Sequence, residues 1–105
     1  MNNLREKEKI EINIDLDIDV EIEIPEDVEL ILWNSDYVPF EVVAAALLNI
    51  VGLDIHQSLQ ITMMAHQNGK AVIGLYPKEI AQTYADDIMK FSANAGFSDL
   101  KITVE

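Results

Sequence analysis

The stretch LILWNSDYVPFE at residues 30–41 decides how the chain folds, because it joins an apolar strand to a helix through a polar loop. The continuous apolar residues 30–33 predict a strand that is covered on at least part of both faces. Asn34, Ser35 and Asp36 are turn-forming residues whose side chains can bond backbone groups. The PFE at the end starts a helix, since proline suits the first helical position and an early glutamate favours the helix dipole. We therefore place the function at the rim where the strand ends.

Working outward from this stretch, the spacing of apolar residues predicts strands and helices along the rest of the chain. Gly52 ends the first helix, and Asp54 is a good N-cap for the second. The predicted elements are a strand at residues 28–33, helices at 39–51 and 54–67, a strand at 71–75, a helix at 77–94, and a last strand through Leu100, Ile102 and Val104. This order predicts an α+β fold, a three-stranded antiparallel sheet with three helices packed on one face in β-α-α-β-α-β order.

Apolar residues at spacings of three and four also predict the faces of these helices. In the second helix, Ile55, Leu59, Met63 and His66 lie on related faces. In the third helix, the residues predicted to point inward are Ile80, Tyr84, Ile88 and Phe91.

The N-terminal segment has a different pattern, with isoleucine, leucine or valine at every second position from residue 10 to residue 24 and mostly acids between them. Period two predicts a strand, but the acidic face would repel itself if it were packed closely. Residues 1–29 carry a net charge of −8, whereas residues 30–105 carry −4. We assign residues 1–27 to an acidic extension and residues 28–105 to the domain. The extension is either mobile, an added edge strand, or ordered only on a basic partner.

Composition excludes several classes of function. A chain of 105 residues forms one domain, and its net charge of −12 argues against a nucleic-acid partner, which needs clustered lysine and arginine. No apolar run is long enough to cross a membrane, and the polar start lacks the core of a signal peptide. The absence of cysteine excludes disulfides and thiolate chemistry, so we expect a cytoplasmic protein.

Two separated motifs carry a resemblance to a known family. The sequences NSDYVPFE at residues 34–41 and MAHQNGKA at residues 64–71 resemble the ClpS adaptor family, whose pattern is close to NDDYTPME followed by VHxxGKA. The resemblance covers about residues 28–105. It implies a monomeric adaptor, with no catalysis and no cofactor, that holds N-degron proteins, whose first residue is bulky and apolar. It implies delivery of these proteins to a Clp AAA+ unfoldase through a ClpA-like N-terminal domain, and it favours a mobile or partner-ordered extension.

The resemblance also implies a set of binding residues. A free α-amino group needs acceptors close together, because an ammonium has three donors and no acceptor. Asn34, Asp36 and His66 supply a carbonyl oxygen, a carboxylate and a ring nitrogen, and at the family spacing we favour them as the amine site. Taken singly, the first two could merely shape the loop and the histidine could merely end a helix. The implied cavity for the first side chain is lined by Leu32, Ser35, Val38, Phe40, Val43, Thr62, Ala65 and Leu100.

Several of these positions depart from the family pattern. Ser35 replaces an aspartate, Val38 a threonine, Phe40 a methionine, Thr62 a methionine and Ala65 a valine. The last two changes predict a wider and wetter cavity floor, so the preferred first residue can differ from the usual one. For the surface that faces the unfoldase, the resemblance implies Glu79 and Thr83 on the third helix, with Tyr84 at the position of a usual lysine.

Two other functions compete with the adaptor. An enzyme is disfavoured because His56 and His66 lie ten residues apart on one predicted helix, too far to share a metal unaided. Asp36 and His66 could act as an orienter and a base, but Ser35 is the only hydroxyl near them. The C-terminal domain of the ribosomal stalk protein resembles this architecture as well, but it does not need either motif.

Overall fold

The computed structural model describes residues 26–105, in which helices pack on one face of a three-stranded sheet. In chain order the elements are β1 (Asp27–Trp33), α1 (Phe40–Ala46) with a π-helical turn (Leu47–Val51), α2 (Ile55–Asn68), β2 (Lys70–Pro77), α3 (Lys78–Asn94) and β3 (Ile102–Val104). The predicted α+β fold and element order are confirmed. The alternating segment at residues 10–24 lies outside the described residues, so the three alternatives for it remain open.

Strand β1 is the centre of the sheet, with β2 on one side and β3 on the other, and both pairings are antiparallel. It takes this place because its middle is continuously apolar: Leu30, Ile31 and Leu32 are at most 2% exposed. Leu30 and Leu32 belong to the core under the helices, whereas Ile31 lies on the alternate face. The predicted burial of both faces is therefore confirmed in the middle of the strand.

Local signals in the sequence fix the ends of the first two helices. Gly52 has φ of 83°, the left-handed conformation that ends α1, and its N–H donates to the Leu47 carbonyl at 3.2 Å. That bond spans five residues, so the last turn of the helix widens into a π turn. The Asp54 carboxylate accepts from the Gln57 backbone N–H at 2.8 Å, which confirms it as the N-cap of α2.

The buried helix faces differ from the predicted ones. In α2 the buried residues are Ser58, Thr62 and Ala65, while Ile55, Leu59 and Met63 are between 39% and 49% exposed. Small side chains on the inner face let the helix approach the neighbouring elements closely.

In α3 the prediction that Ile80 points inward is wrong, because this side chain is 45% exposed. Ile80 lies in the first turn of α3, which directly follows Pro77. Pro77 pairs with Asp27, the first residue of β1, so the sheet ends beside this turn. The buried residues of α3 are Ala81, Ala85, Ile88 and Ser92. Between residues 26 and 105, no helix is long and apolar enough to cross a membrane.

Candidate functional site

A backbone hydrogen bond joins the residue after β1 to the residue after α2. The Asn34 backbone N–H donates to the Gly69 carbonyl at 2.9 Å, and the next residue, Lys70, pairs with Trp33 in the sheet. Gly69 ends α2 with φ of 91°, a conformation that suits glycine, and its own N–H donates to the Ala65 carbonyl at 2.8 Å. This reversal from helix to strand holds the last turn of α2, which carries His66, against the loop that carries Asn34.

Hydrogen bonds between residues two positions apart shape the loop between β1 and α1. The Ser35 Oγ accepts from the Tyr37 backbone N–H at 3.2 Å, and the Asn34 Nδ2 donates to the Asp36 Oδ1 at 3.4 Å. Because the amide nitrogen of Asn34 is directed at Asp36, its carbonyl oxygen stays free to accept from a ligand. Helix α1 then starts after Pro39, its N-cap residue, whose side chain has no polar atom that could cap the helix.

A cavity of about 350 Å³ opens between the end of β1, the start of α1 and the second half of α2. It brings together the three predicted amine-site residues and seven of the eight residues predicted for the side-chain pocket. The residues that line it are Leu32, Trp33, Asn34, Ser35, Asp36, Val38, Phe40, Val43, Thr62, Met63, Ala65 and His66. Residues more than thirty positions apart in the chain therefore share one concave surface.

The cavity has a polar rim and a mainly apolar interior. Asn34, Asp36 and His66 are exposed at the rim, while Leu32 and Ala65 are at most 2% exposed inside. A site of this kind can hold a molecule that is cationic at one end and apolar at the other, since the acceptors face the charge and the interior excludes water.

One predicted pocket residue lies elsewhere. Leu100 does not line the cavity; it is 5% exposed and belongs to the hydrophobic core. It precedes β3, which pairs with β1 along Leu30, Ile31 and Leu32 and therefore places Leu100 on the core side of the domain.

Sequence reasoning also missed two lining residues. Met63 lies three residues before His66 and so shares its side of α2, which is a signal that the helical spacing carries. Trp33 is the residue just before Asn34, at the end of β1.

The Trp33 ring is held by three neighbours. Its Nε1–H donates to the Thr103 Oγ1 of β3 at 2.8 Å. The Nζ of Lys70 lies 5.1 Å from the ring centroid and the Nζ of Lys101 lies 4.8 Å from it, both within the range of a cation–π interaction. The aromatic ring that lines the cavity from β1 is therefore held by residues of β2, of β3 and of the segment just before β3.

The residues predicted to face an unfoldase lie far from this cavity, on the first two turns of α3. Glu79 and Thr83 are exposed, and the Thr83 Oγ1 donates to the Glu79 carbonyl at 3.0 Å. Tyr84 is half-buried and its ring meets the edge of Tyr76 at 5.1 Å between centroids. Helix α3 starts beside the first residue of β1, whereas the cavity lies at its last residue, and none of Glu79, Thr83 and Tyr84 lines the cavity.

The geometry of Ser35, Asp36 and His66 gives little support to a catalytic function. Ser35 lines the same cavity as Asp36 and His66, but its oxygen already accepts a bond from the loop backbone. Within the part of the chain that the structure describes, no hydrogen bond joins Ser35 to His66. No group of three histidine, aspartate or glutamate side chains among residues 26–105 is arranged to hold a metal ion.

The chain is similar to known proteins over most of its length. The profile of the family described as "ATP-dependent Clp protease adaptor protein ClpS" matches residues 23–103. The ClpS adapter protein of Herminiimonas arsenicoxydans is 35% identical over 72 residues, which are 69% of this chain and 71% of the relative. The ClpS adapter protein of Clostridium acetobutylicum is 33% identical over 80 residues, which are 76% of this chain and 78% of the relative.

A solved structure is similar as well. The structure of Agrobacterium tumefaciens ClpS2 bound to L-phenylalaninamide has a TM-score of 0.73 and 30% sequence identity to this chain. The match covers 78% of this chain and 98% of that structure.

Proposed function

The chain belongs to the ClpS family of ATP-dependent Clp protease adaptor proteins, and on this premise we propose how its cavity works. The cavity binds the free N-terminus of a protein whose first residue is bulky and apolar, an N-degron, and the chain delivers that protein to the Clp protease. The family description makes the chain an adaptor and not the protease itself. We take it to have no catalytic activity of its own.

The observation that carries this proposal is that Asn34, Asp36 and His66 line one cavity with an apolar interior. A protonated α-amino group has three N–H donors, and the rim offers a carbonyl oxygen, a carboxylate and a ring nitrogen as acceptors. A charge-assisted bond of this kind contributes about 1.5–3 kcal/mol when water is excluded, and less at an exposed rim.

The interior supplies the second part of the affinity. Leu32, Val38, Val43 and Ala65 are buried and apolar, so a bulky first side chain that enters between them leaves water. Burying a leucine or phenylalanine side chain contributes about 1.5–3 kcal/mol. Phenylalaninamide, which is bound in the Agrobacterium structure, combines a free α-amino group with an aromatic side chain, and this supports the same division of the site here.

Delivery uses a different surface. We place the contact with a ClpA-like N-terminal domain at Glu79, Thr83 and Tyr84, none of which lines the cavity. This separation supports simultaneous binding of substrate and unfoldase by a single copy of the chain. A cytoplasmic location belongs to the proposal too, because the protease that the family serves depends on ATP, which cells supply there.

The test is a calorimetric titration with two peptides that begin with phenylalanine and differ only in acetylation of the first nitrogen. We expect the free peptide to bind and the acetylated one to bind at least about tenfold more weakly, because acetylation removes the charge and two of the three donors. A third peptide with glycine placed before the phenylalanine controls for general affinity for apolar sequences. Equal binding of the free and acetylated peptides would refute the amine site.

A further inference from the structure

The inner wall of the cavity contains a hydroxyl group. Thr62 lines the cavity from α2 and is 5% exposed. Its Oγ1 donates to the Ser58 carbonyl at 2.7 Å, so the single hydrogen of the hydroxyl is committed to the helix backbone. Among the hydrogen bonds of residues 26–105, none is donated to this oxygen. Because Thr62 lines the cavity, we take its oxygen as the hydrogen-bond acceptor that this wall offers to a bound side chain.

Because this hydroxyl is buried, it affects which side chains bind favourably in the cavity. A polar oxygen that is shut away from water without a donor costs free energy, and folded proteins leave few such atoms. When an apolar side chain fills the cavity and expels water, the Thr62 oxygen accepts nothing. A side chain that brings its own N–H or O–H to the same place removes this penalty.

The depth of Thr62 in the cavity determines which first side chain can donate a hydrogen bond to its oxygen. His66 is at the rim and Thr62 lies one turn earlier on α2, a rise of about 6 Å for four residues. A first residue whose α-amino group is held at the rim therefore reaches Thr62 only with the far end of a long side chain. The phenol of tyrosine has this length and ends in an O–H donor, whereas phenylalanine ends in a C–H and leucine stops short of the hydroxyl.

We propose that Thr62 makes this cavity select tyrosine over phenylalanine as the first residue of its substrates, by accepting a hydrogen bond from the phenol hydroxyl. The inference rests on the proposed function, since it needs the α-amino group at the rim. A net hydrogen bond of ordinary strength corresponds to about three- to tenfold tighter binding.

The experiment compares two peptides that differ only in a first tyrosine or phenylalanine, titrated by calorimetry into the full chain and three variants. With the native chain, tyrosine binds about three- to tenfold tighter than phenylalanine. Thr62→Val keeps the shape of the side chain and removes the acceptor, so the ratio of tyrosine to phenylalanine affinity falls to about one. Thr62→Ser keeps the hydroxyl and preserves the preference for tyrosine.

Ser58→Ala is the matched control. It removes a second hydroxyl from the same buried helix face, and Ser58 is 0% exposed, does not line the cavity and has no partner for its Oγ among the described residues. We expect the tyrosine-to-phenylalanine ratio of this variant to match the native one.

Two outcomes overturn the inference. One is a ratio near one in the native chain, and the other is a native preference for tyrosine that survives Thr62→Val in a folded variant. The proposed function fails separately: if acetylated and free peptides bind equally, the amine site is wrong whatever the ratio. If the free phenylalanine peptide binds and the acetylated one does not, a ratio of one refutes only the role of Thr62.

Discussion

Replacing Asp36 by asparagine tests the amine site directly. The two side chains have nearly the same shape, so Asp36→Asn removes the negative charge at the rim and leaves the cavity that its neighbours line. Among residues 26–105, the carboxylate accepts one side-chain hydrogen bond, from the Asn34 Nδ2, at a long 3.4 Å and in an exposed position. The fold therefore loses little, and we expect the melting temperature to change by no more than about 2 °C.

The effect on binding is larger. A charge-assisted bond between a carboxylate and an ammonium contributes about 1.5–3 kcal/mol when it is shielded from water. Asp36 is exposed, so solvent screening brings the expected loss to about 1.4 kcal/mol, which is about tenfold in the dissociation constant. Added salt should narrow the difference between the native chain and the variant, because exposed charges are screened.

Trp33 provides the assay, because it is the single tryptophan of the chain and lines the cavity. Its fluorescence is followed during titration with a peptide that begins with phenylalanine and contains no tryptophan. Asp99→Asn is the matched control: Asp99 lines a second, neighbouring recess that Asn34 and Asp36 also line, but it does not line the cavity, and we expect native affinity from this variant. The reasoning is refuted if Asp36→Asn binds as tightly as the native chain, or if both variants weaken binding equally.

Three further predictions follow from other parts of the chain. Deleting residues 1–24 should leave peptide affinity unchanged and slow delivery to the unfoldase; a fall in the melting temperature would indicate instead that this segment docks on the domain. Gly69→Ala should lower the free energy of unfolding by about 1–2 kcal/mol in a denaturant titration, since φ of 91° suits glycine and nothing lies within 4 Å of the added Cβ, while Gly69→Asn should cost less. Burial, and to a smaller extent the charge of Tyr84, raise the pKa of Tyr76 above its usual 10.0, so the folded state holds this proton more tightly. The contribution of this protonated hydroxyl to the free energy of unfolding is fully present below pH 10 and is lost as the pH rises through the higher folded pKa. The melting temperature should therefore fall less steeply with alkaline pH in Tyr76→Phe than in the native chain.

Much of the fold could be predicted from local patterns. The continuous apolar run in β1 predicted a strand that is covered on both faces, and the capping signals at Gly52 and Asp54 are found at the expected helix ends. These predictions succeeded because a strand run, a left-handed glycine and a side-chain cap depend mainly on residues close to one another in the chain.

The helix faces show where local pattern is insufficient. Large apolar residues indicated one face of α2, yet the helix buries its small residues Ser58, Thr62 and Ala65. Which face is buried depends on how closely the helix approaches its neighbours, and periodicity does not measure that distance. Leu100 was assigned to the cavity from the family resemblance alone, and in the structure it packs in the hydrophobic core without lining the cavity.

The sequence alone determined the element order, the helix ends and the polar loop that carries Asn34 and Asp36, because each depends on residues within a few positions of one another. The tertiary structure decided that this loop shares a cavity with His66: the turn at Gly69 carries the chain from α2 into β2, and the Trp33–Lys70 pairing then sets His66 beside the Asn34 loop. It also decided that Thr62 faces this cavity and Leu100 the core. Contacts of this kind join residues distant in the chain, and they exist only once the sheet has fixed the register of its strands.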